Sequence, residues 1–178
     1  MKVWNARVGR PIRVLSNIVE SDITAMELDG SHRKVLVGDH NGDIRMFDVL
    51  SGVKLYDFSP HEREISFIKY SEKDNVVITG SWDLSILIHR DTLDKNLTSR
   101  KGVLRKIVKA HHKDIMCGDF SYNLNLIATG SRDQKVKLWN YETCKLEAEL
   151  TSHKAEVTLL NFVHPFPILI SSDTCKLA

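Results

Sequence analysis

The stretch of sequence that decides the fold runs from Ile127 to Asn140 and reads IATGSRDQKVKLWN. An apolar run leads into a glycine turn, Asp133 follows the glycine by three residues, and a second apolar run ends on Trp139. Short runs with alternating or β-branched residues, separated by Gly, Ser and Asp, are typical of two strands joined by a tight turn. The stretch therefore predicts a pair of antiparallel strands.

The same order of residue types occurs twice more, as VGDHNGDIRMFD from Val37 and as TGSWDLSILIH from Thr79. The glycines of the three stretches stand at positions 38, 80 and 130, which are 42 and 50 residues apart. A second pattern, a histidine followed three residues later by an acid and then by Ile or Val, begins at His61, His111 and His153. Two patterns that recur in a fixed order predict tandem structural units.

Each unit contains four short apolar runs separated by turn-forming residues. In the unit that follows His111 they cover residues 115–120, 126–129, 136–139 and 146–150. The chain offers no long apolar stripe with the 3.6-residue period of a helix. Four strands per unit, glycine turns and a closing aromatic residue predict an all-β fold of four-stranded antiparallel blades, which is the architecture of a β-propeller.

The segments IATGSRD and VKLWN resemble the closing motif of the WD-repeat (Trp-Asp repeat) β-propeller family, and the resemblance extends over essentially the whole chain. The text from Ala128 to Leu150 and from His164 to Asp173 is also similar to large protist and ciliary WD-repeat proteins. The resemblance implies a scaffold that binds other proteins and performs no catalysis. It also implies that strand a of each blade is innermost and strand d outermost.

The repeats predict a single propeller segment of about four blades, partial or self-completing. Residues 1–15 are expected to form strands c and d of a split blade, and residues 157–178 an incomplete blade. Between them lie blade one (22–58), blade two (64–108) and blade three (114–150). Propellers of this family usually contain more blades. Two alternatives therefore stay open. The chain is a fragment of a longer propeller, completed by further repeats or by self-association that covers its exposed strand edges, or it closes alone with unusual geometry.

The resemblance further implies a hydrogen-bond chain inside each blade, from a loop histidine and a turn aspartate through a strand-b hydroxyl to the strand-c tryptophan. The residues expected in it are His111, Thr129, Asp133 and Trp139 in blade three, His61, Thr79 and Asp83 in blade two, and His153 in the incomplete blade, followed there by Ser171. His89 stands where blade two should have its tryptophan, and Cys175 where the last unit should have its aspartate. Blade one departs at three positions, which hold Val19, Asn41 and Phe47.

A hydroxyl, a histidine and an aspartate also form the catalytic set of serine hydrolases. A single active site does not require the set to recur, so the repetition favours a structural role in which buried polar groups satisfy one another. The cluster His111, His112 and Cys117 matches no zinc spacing, and residues 39–43 lack the last ligand of a calcium loop. We predict no catalytic residue, no cofactor and no metal site. A propeller enzyme, the alternative, would need a non-repeating cluster of carboxylates or metal ligands.

The b-to-c turns and the histidine loops are expected at one end of the blades, called here the top face. In the family, the residue before each turn aspartate commonly contacts partners. Here those residues are His40, Trp82 and Arg132, and the neighbouring loops add Arg63, Lys113 and Lys154. Trp and Arg dominate the binding energy of many protein interfaces. We predict that these six residues contact protein partners; packing of Trp82 onto the adjacent blade is the alternative.

Residues 100–113 contain six Lys and Arg side chains, which raises nucleic-acid binding as an alternative function. The same stretch reads as an outermost strand whose lysines prevent edge-to-edge aggregation. The net charge of +2 provides no global field that would attract nucleic acid or a membrane. The connection from Asp91 to Gly102 is about eight residues longer than its counterparts, which makes it a candidate contact loop.

Composition indicates the cellular compartment. The sequence shows no secretory signal and no run of eighteen apolar residues, so no membrane span is expected. Three cysteines without a C-x-x-C spacing favour free thiols in a reducing compartment. We therefore expect an intracellular, cytoplasmic protein, and the ciliary resemblance extends this expectation to the cilium or the cytoskeleton.

Overall fold

The computed structural model describes residues 1–16, 18–91 and 102–175, and every regular element in these ranges is a β-strand. The first two strands pair as an antiparallel sheet, called here the N-terminal half-sheet. They are β1 (Lys2–Asn5) and β2 (Arg10–Val14). Within the described ranges there is accordingly no helix long and apolar enough to cross a membrane.

Three four-stranded antiparallel sheets follow, each with its strands in sequence order. Blade one contains β3 (Ile23–Leu28), β4 (Lys34–Asp39), β5 (Ile44–Asp48) and β6 (Lys54–Asp57). Blade two contains β7 (Ile65–Ser71), β8 (Val76–Ser81), β9 (Ile86–Arg90) and β10 (Val103–Ile107). Blade three contains β11 (Ile115–Ser121), β12 (Leu126–Ser131), β13 (Val136–Asn140) and β14 (Leu146–Leu150). The predicted all-β fold of four-stranded antiparallel blades is confirmed.

The last sheet has two antiparallel strands and is called here the C-terminal half-sheet. It contains β15 (Val157–Val163) and β16 (Ile168–Asp173). The first strands of successive sheets contact one another, β3 with β7, β7 with β11 and β11 with β15. The sheets therefore stack in chain order through their innermost strands.

Irregularities in strand pairing repeat from sheet to sheet. The first two strands of each blade, and those of the C-terminal half-sheet, share a bulge two residues into the first strand, as between Ile65 and Phe67. In each blade the third and fourth strands share a bulge directly before one position of the third strand, which holds Phe47, His89 or Trp139. In blade three this bulge lies between Leu138 and Trp139. The N-terminal half-sheet carries this second bulge, between Val3 and Trp4. The half-sheets thus have the pairing geometry of opposite halves of a blade.

Among the described residues the core consists of four apolar clusters, one at each contact between neighbouring sheets. The largest joins blades two and three and includes Phe67, Ile88 and Trp139. A second joins blades one and two, and a third joins blade three to the C-terminal half-sheet. The fourth packs residues before blade one, among them Met1, onto the two middle strands of blade one. Because strand side chains alternate between two faces, every inner sheet contributes to two clusters.

Gly42 is the turn residue whose replacement should strain the backbone most. Its φ is +91°, and a Cβ atom would lie 2.5 Å from the His61 carbonyl oxygen and 2.8 Å from that of Arg63. We expect Gly42→Ala to lower the free energy of unfolding by about 2 kcal/mol, measured by urea denaturation. Gly9→Ala is the matched control, because Gly9 also has a positive φ but has no atom within 4 Å of its added Cβ. Equal losses in the two variants would contradict the steric explanation.

Candidate functional site

Blade three contains the complete predicted hydrogen-bond chain, and its residues lie in the interior. The His111 ring contacts the Asp133 carboxylate through Nδ1 at 3.0 Å and the Thr129 hydroxyl through Nε2 at 2.9 Å. The Trp139 indole N–H donates to the same hydroxyl oxygen at 2.9 Å. The carboxylate accepts from Nδ1, so Nε2 is left to accept the Thr129 proton, and the imidazole is neutral.

The pKa values in this chain follow from burial and from the hydrogen bonds. Burial lowers the pKa of His111, and the opposing attraction of Asp133 is smaller. Burial alone would raise the pKa of Asp133, but the His112 backbone N–H, His111 and the Lys135 backbone N–H together hold it below its ordinary value. The stable state at neutral pH is therefore a neutral imidazole held by a carboxylate.

Blade two has the same chain without its tryptophan. His61 lies 2.9 Å from Asp83 and 2.9 Å from the Thr79 hydroxyl. His89 occupies the tryptophan register, is fully buried, and packs edge-on against Phe58 with ring centroids 5.4 Å apart. Neither ring nitrogen of His89 meets the geometry of a hydrogen bond to a described residue. Burial and the nearby His61 lower the pKa of His89 to about 4, against a smaller opposing effect of the Gly102 backbone.

The C-terminal half-sheet forms the hydrogen-bond chain although Cys175 stands where the family pattern has its aspartate. His153 lies 2.7 Å from the Ser171 hydroxyl, but its Nδ1 contacts Asp173 at 2.8 Å. Cys175 does stand at the predicted aspartate position, where its backbone N–H donates to Asp173. A carboxylate two residues before the family's aspartate position thus reaches the same imidazole.

Blade one also has its turn carboxylate two residues earlier than blades two and three, although it has no histidine at the loop position. Asp39 ends β4, is almost completely buried, and accepts the backbone N–H groups of Asn41 and Asp43. Arg45 adds an ion pair at 3.1 Å. Asp39 and Asp173 both end the second strand of their sheets, where blades two and three have Ser81 and Ser131. An acid directly after the glycine position was the sequence signal for both.

The predicted polar residues contact one another in the interior of their blades. The Thr79 and Thr129 hydroxyls are completely buried, so they cannot reach a substrate as nucleophiles. Both ring nitrogens of His111 are engaged by Asp133 and Thr129, and Cys117 faces the Val157 carbonyl oxygen. The described residues contain no group of three His, Cys, Asp or Glu side chains that could hold a metal ion.

Trp82 lies on the top face at the junction of blades two and three. Its ring is half-buried between two guanidinium groups, with Arg63 5.9 Å and Arg132 5.6 Å from the ring centroid. Both arginines also bind the Asp114 carboxylate, at 3.3 Å and 3.0 Å. Cation–π contacts and shared ion pairs restrict the rotamers of all three side chains. Three of the six predicted top-face residues thus form one cluster, called here the Trp82 cluster.

The other predicted top-face residues lie on the same loops but outside the Trp82 cluster. His40 is exposed and its ring contacts Glu64 of the next blade at 2.8 Å. Lys113 and Lys154 are exposed beside the histidines of their units. Arg132 also reaches Glu156 of the C-terminal half-sheet at 3.2 Å. These ion pairs link neighbouring sheets across the top face.

The described residues of the basic stretch, from 102 to 113, do not form one continuous patch. Its first two residues, at positions 100 and 101, and positions 92–101 of the predicted contact loop lie outside the described residues. Arg105 stacks on Tyr141 at 5.3 Å from the ring centroid. Lys106 and Lys109 are exposed at the outer strand of blade two, whereas Lys113 belongs to the top face. Among the described residues, this division favours the role of an outer strand over a phosphate-binding surface.

Sequence reasoning missed a polar cavity of about 790 Å³ between blades one and two, at the end opposite the top face. Its centre is Asp91, which is buried and accepts hydrogen bonds from the Tyr56 and Tyr70 hydroxyls. Lys34 lies 3.7 Å from the same carboxylate. Burial and Asp91 raise the pKa of both tyrosines, so they remain protonated donors at neutral pH. Asp91 looked like the start of a loop, and its partners come from three different strands.

Comparison with known proteins agrees with this geometry. The family model "WD domain, G-beta repeat" matches residues 52–90 and 102–140. The chain is 25% identical to Cilia- and flagella-associated protein 337 B of Tetrahymena thermophila over 98% of its own length and 14% of that protein. It is 27% identical to WD repeat-containing protein 3 of Mus musculus, over 88% of its length and 17% of that protein. The chain thus spans about a sixth or less of these curated relatives.

A solved chain in the Mitotic Checkpoint Complex has the same fold, with a TM-score of 0.80 at 19% identity. The match covers 96% of this chain and 50% of that one.

Proposed function

The chain is a WD-repeat chain of β-propeller architecture, a family of generally non-catalytic scaffolds, and on that premise we propose that its top face binds a partner protein through the Trp82 cluster. The observation that carries the proposal is the position of Trp82 between Arg63 and Arg132. Aromatic and arginine side chains held in fixed rotamers lose little entropy when a partner binds.

The charges around the Trp82 cluster indicate the chemistry of the partner. The outermost side chains, Arg63, Lys113 and Lys154, are basic and exposed. The nearest acids, Glu64, Asp114 and Glu156, contact His40 and the two arginines, and the exposed Glu62 adjoins Arg63. A partner would therefore meet exposed cations from three loops around an aromatic centre. We propose that the partner surface carries carboxylates beside an apolar group.

Alanine substitution in the Trp82 cluster tests the proposal. We expect Trp82→Ala and Arg132→Ala each to reduce the capture of a top-face partner from cell extract by about tenfold or more, measured by quantitative mass spectrometry. Tyr122→Ala is the matched control. Tyr122 is also an exposed aromatic residue with a cation, Lys73, 4.1 Å from its ring centroid, but it lies at the opposite end of the blades. A captured set that is unchanged in both top-face variants would reject the proposal.

We propose that this scaffold acts inside the cell, in the cytoplasm, the cilium or the cytoskeleton. The ciliary and flagellar name of the Tetrahymena thermophila relative supports the ciliary location. The buried Cys117 thiol and the half-buried Cys144 thiol fit a reducing compartment. Imaging of a tagged chain in a ciliated cell would test the location.

A further inference from the structure

A cavity lies at each junction between complete blades, at the end opposite the top face. The large cavity, of about 790 Å³, lies between blades one and two, and the small cavity, of about 440 Å³, lies between blades two and three. At each junction the outer strand of one blade meets the residue that follows the third strand of the next. These residues are Tyr56 and Asp91 at the large cavity, and Arg105 and Tyr141 at the small cavity. The two junctions thus place different chemistry at the same registers.

The small cavity has an arginine of its own chain in its wall. The Arg105 guanidinium lies 5.3 Å from the Tyr141 ring centroid and donates to the Tyr141 carbonyl oxygen at 3.4 Å. The other charged side chains of the wall are Arg90, Asp74 and Glu142, so two cations face two carboxylates. The charges of this junction therefore balance within the chain.

Among the described residues, the wall of the large cavity contains no arginine and has an excess of negative charge. Its charged side chains are Asp29, Glu72, Asp91 and Lys34, three carboxylates against one ammonium. Asp29 and Asp91 are 4% and 7% exposed and form the floor, whereas Glu72 and Asn75 are exposed at the mouth. The positive charge that Arg105 supplies at the next junction is therefore missing here.

The two floor carboxylates can accept further hydrogen bonds. Asp29 accepts the Ser31 hydroxyl proton at 2.6 Å and two backbone N–H groups. Asp91 accepts from two tyrosine hydroxyls, and the Lys34 ammonium stands 3.7 Å away, beyond hydrogen-bond distance. Because a carboxylate offers about four acceptor positions, each of the two retains at least one. Their burial strengthens the attraction for a charged donor, because water screens it less.

Glu72 adds a third carboxylate at the mouth of the large cavity. A Cβ atom at Gly30 would lie 2.0 Å from Glu72 Cγ, so the Glu72 side chain lies directly on blade one. Within the described part of the chain, no Lys or Arg forms an ion pair with Glu72. The adjacent Lys73 instead places its ammonium 4.1 Å from the Tyr122 ring centroid, on the side of blade three. The mouth therefore repeats the excess of negative charge found at the floor.

We propose that the large cavity binds the guanidinium group of an arginine side chain from a partner protein. A guanidinium presents five donors in one plane, which suits several carboxylate acceptors, and its face stacks on aromatic rings such as that of Tyr70. Arg105 and Tyr141 form such a stack at the small cavity. Glu72 and Asn75 at the mouth provide acceptors for the backbone amides on either side of the arginine. The volume of the large cavity lies in the range of sites that hold more than a single ion.

The chemistry of the large cavity favours this ligand over a metal ion or an anion. The described residues contain no group of three His, Cys, Asp or Glu side chains that could hold a metal ion. The excess of carboxylates repels a phosphate or a carboxylate. The large cavity shares no residue with the Trp82 cluster, which exposes cations at the opposite end of the blades. The two ends would therefore select partner surfaces of opposite charge.

A titration with N-acetyl-arginine methylamide, followed through backbone amide shifts in NMR spectra, tests the proposal. The amides of Ser31, Glu72 and Asn75 should shift and reach saturation. The citrulline analogue replaces the guanidinium with a neutral urea group of the same shape, and it should bind about tenfold more weakly or worse. Equal affinities for the two compounds, or no saturable shift at these amides, would overturn the proposal.

Variants of the cavity wall test which side chains bind the guanidinium. Asp91→Asn should weaken binding about thirtyfold, because this carboxylate is buried, and the exposed Glu72→Gln about threefold. Lys34→Met should strengthen binding about threefold, because it removes a competing cation. Glu142→Gln, which removes an exposed acid from the small cavity, is the matched control and should leave the affinity unchanged. An equal loss in Glu142→Gln, or no change in both Glu72→Gln and Lys34→Met, would overturn the proposal even if Asp91→Asn does not fold.

Two further titrations test the source of the guanidinium. Ethylguanidinium lacks the peptide amides and should bind about fivefold more weakly than N-acetyl-arginine methylamide, the equivalent of one hydrogen bond. Equal affinity would indicate a site for small cations and overturn the assignment to a partner protein. Three cations that follow Asp91 in the sequence, Lys95, Arg100 and Lys101, lie outside the described residues. Their replacement by serine should leave the affinity unchanged, and tighter binding would mean that the chain fills the cavity itself.

Discussion

Replacing Asp133 with alanine is expected to lower the free energy of unfolding by about 3 kcal/mol, because it removes a buried carboxylate that several donors share. The carboxylate accepts from the His111 ring and from the backbone N–H groups of His112 and Lys135. Without it, the His111 Nδ1–H would remain buried with no acceptor. Thermal and urea unfolding of the purified chain measure the loss.

Asn41→Ala is the matched control for Asp133→Ala. Asn41 occupies the same turn position in blade one, but its side chain is exposed, and Asp39 supplies the buried carboxylate of that turn. We expect Asn41→Ala to change stability by less than about 0.5 kcal/mol. The comparison separates the hydrogen-bond chain from the effect of shortening a side chain in this turn. Similar losses in the two variants would argue against the chain as the source of stability.

Much of this architecture could be predicted because local signals repeated. The glycine turns and the histidine pattern predicted the strand order of blades two and three, and the resemblance to WD-repeat propellers implied that His111, Thr129 and Asp133 form one group. The roles of Asp39 and Asp173 escaped prediction, because the family motif directs attention to the position two residues later. The carboxylate can stand at either of these two positions, because the turn brings both of them close to the same loop.

Contacts between distant strands were harder to predict than the repeats. The Asp91 carboxylate gathers Tyr56, Tyr70 and Lys34 from two blades, and no spacing within one repeat encodes that meeting. The two arginines around Trp82 come from different blades for the same reason. Periodicity predicts what each blade repeats, whereas specific clusters arise where neighbouring blades differ.

His89 should make the stability of this chain sensitive to mild acid. Its pKa of about 4 in the folded chain lies below the ordinary value of 6.5, so the unfolded chain takes up the proton first as the pH falls. The contribution of His89 to folding is therefore complete above pH 6.5 and decreases as the pH falls towards 4. At about 1.4 kcal/mol per pH unit, the loss across this window is about 3 kcal/mol.

His89→Phe is expected to remove this acid sensitivity and to raise the free energy of unfolding at pH 7 by about 1 kcal/mol, because it removes two buried nitrogens that lack well-formed hydrogen bonds. Phe47 already occupies the same register in blade one, so the fold accommodates phenylalanine there. Urea denaturation of the two proteins between pH 4 and pH 7 measures the difference. His111 and the aspartates are present in both, so their contributions cancel.

His89→Gln is the control that separates the two effects, since it abolishes the titration but keeps a buried polar group. It should therefore lose the acid sensitivity without the gain at pH 7. Parallel pH curves for the wild type and His89→Phe would show that His89 is not the group that titrates.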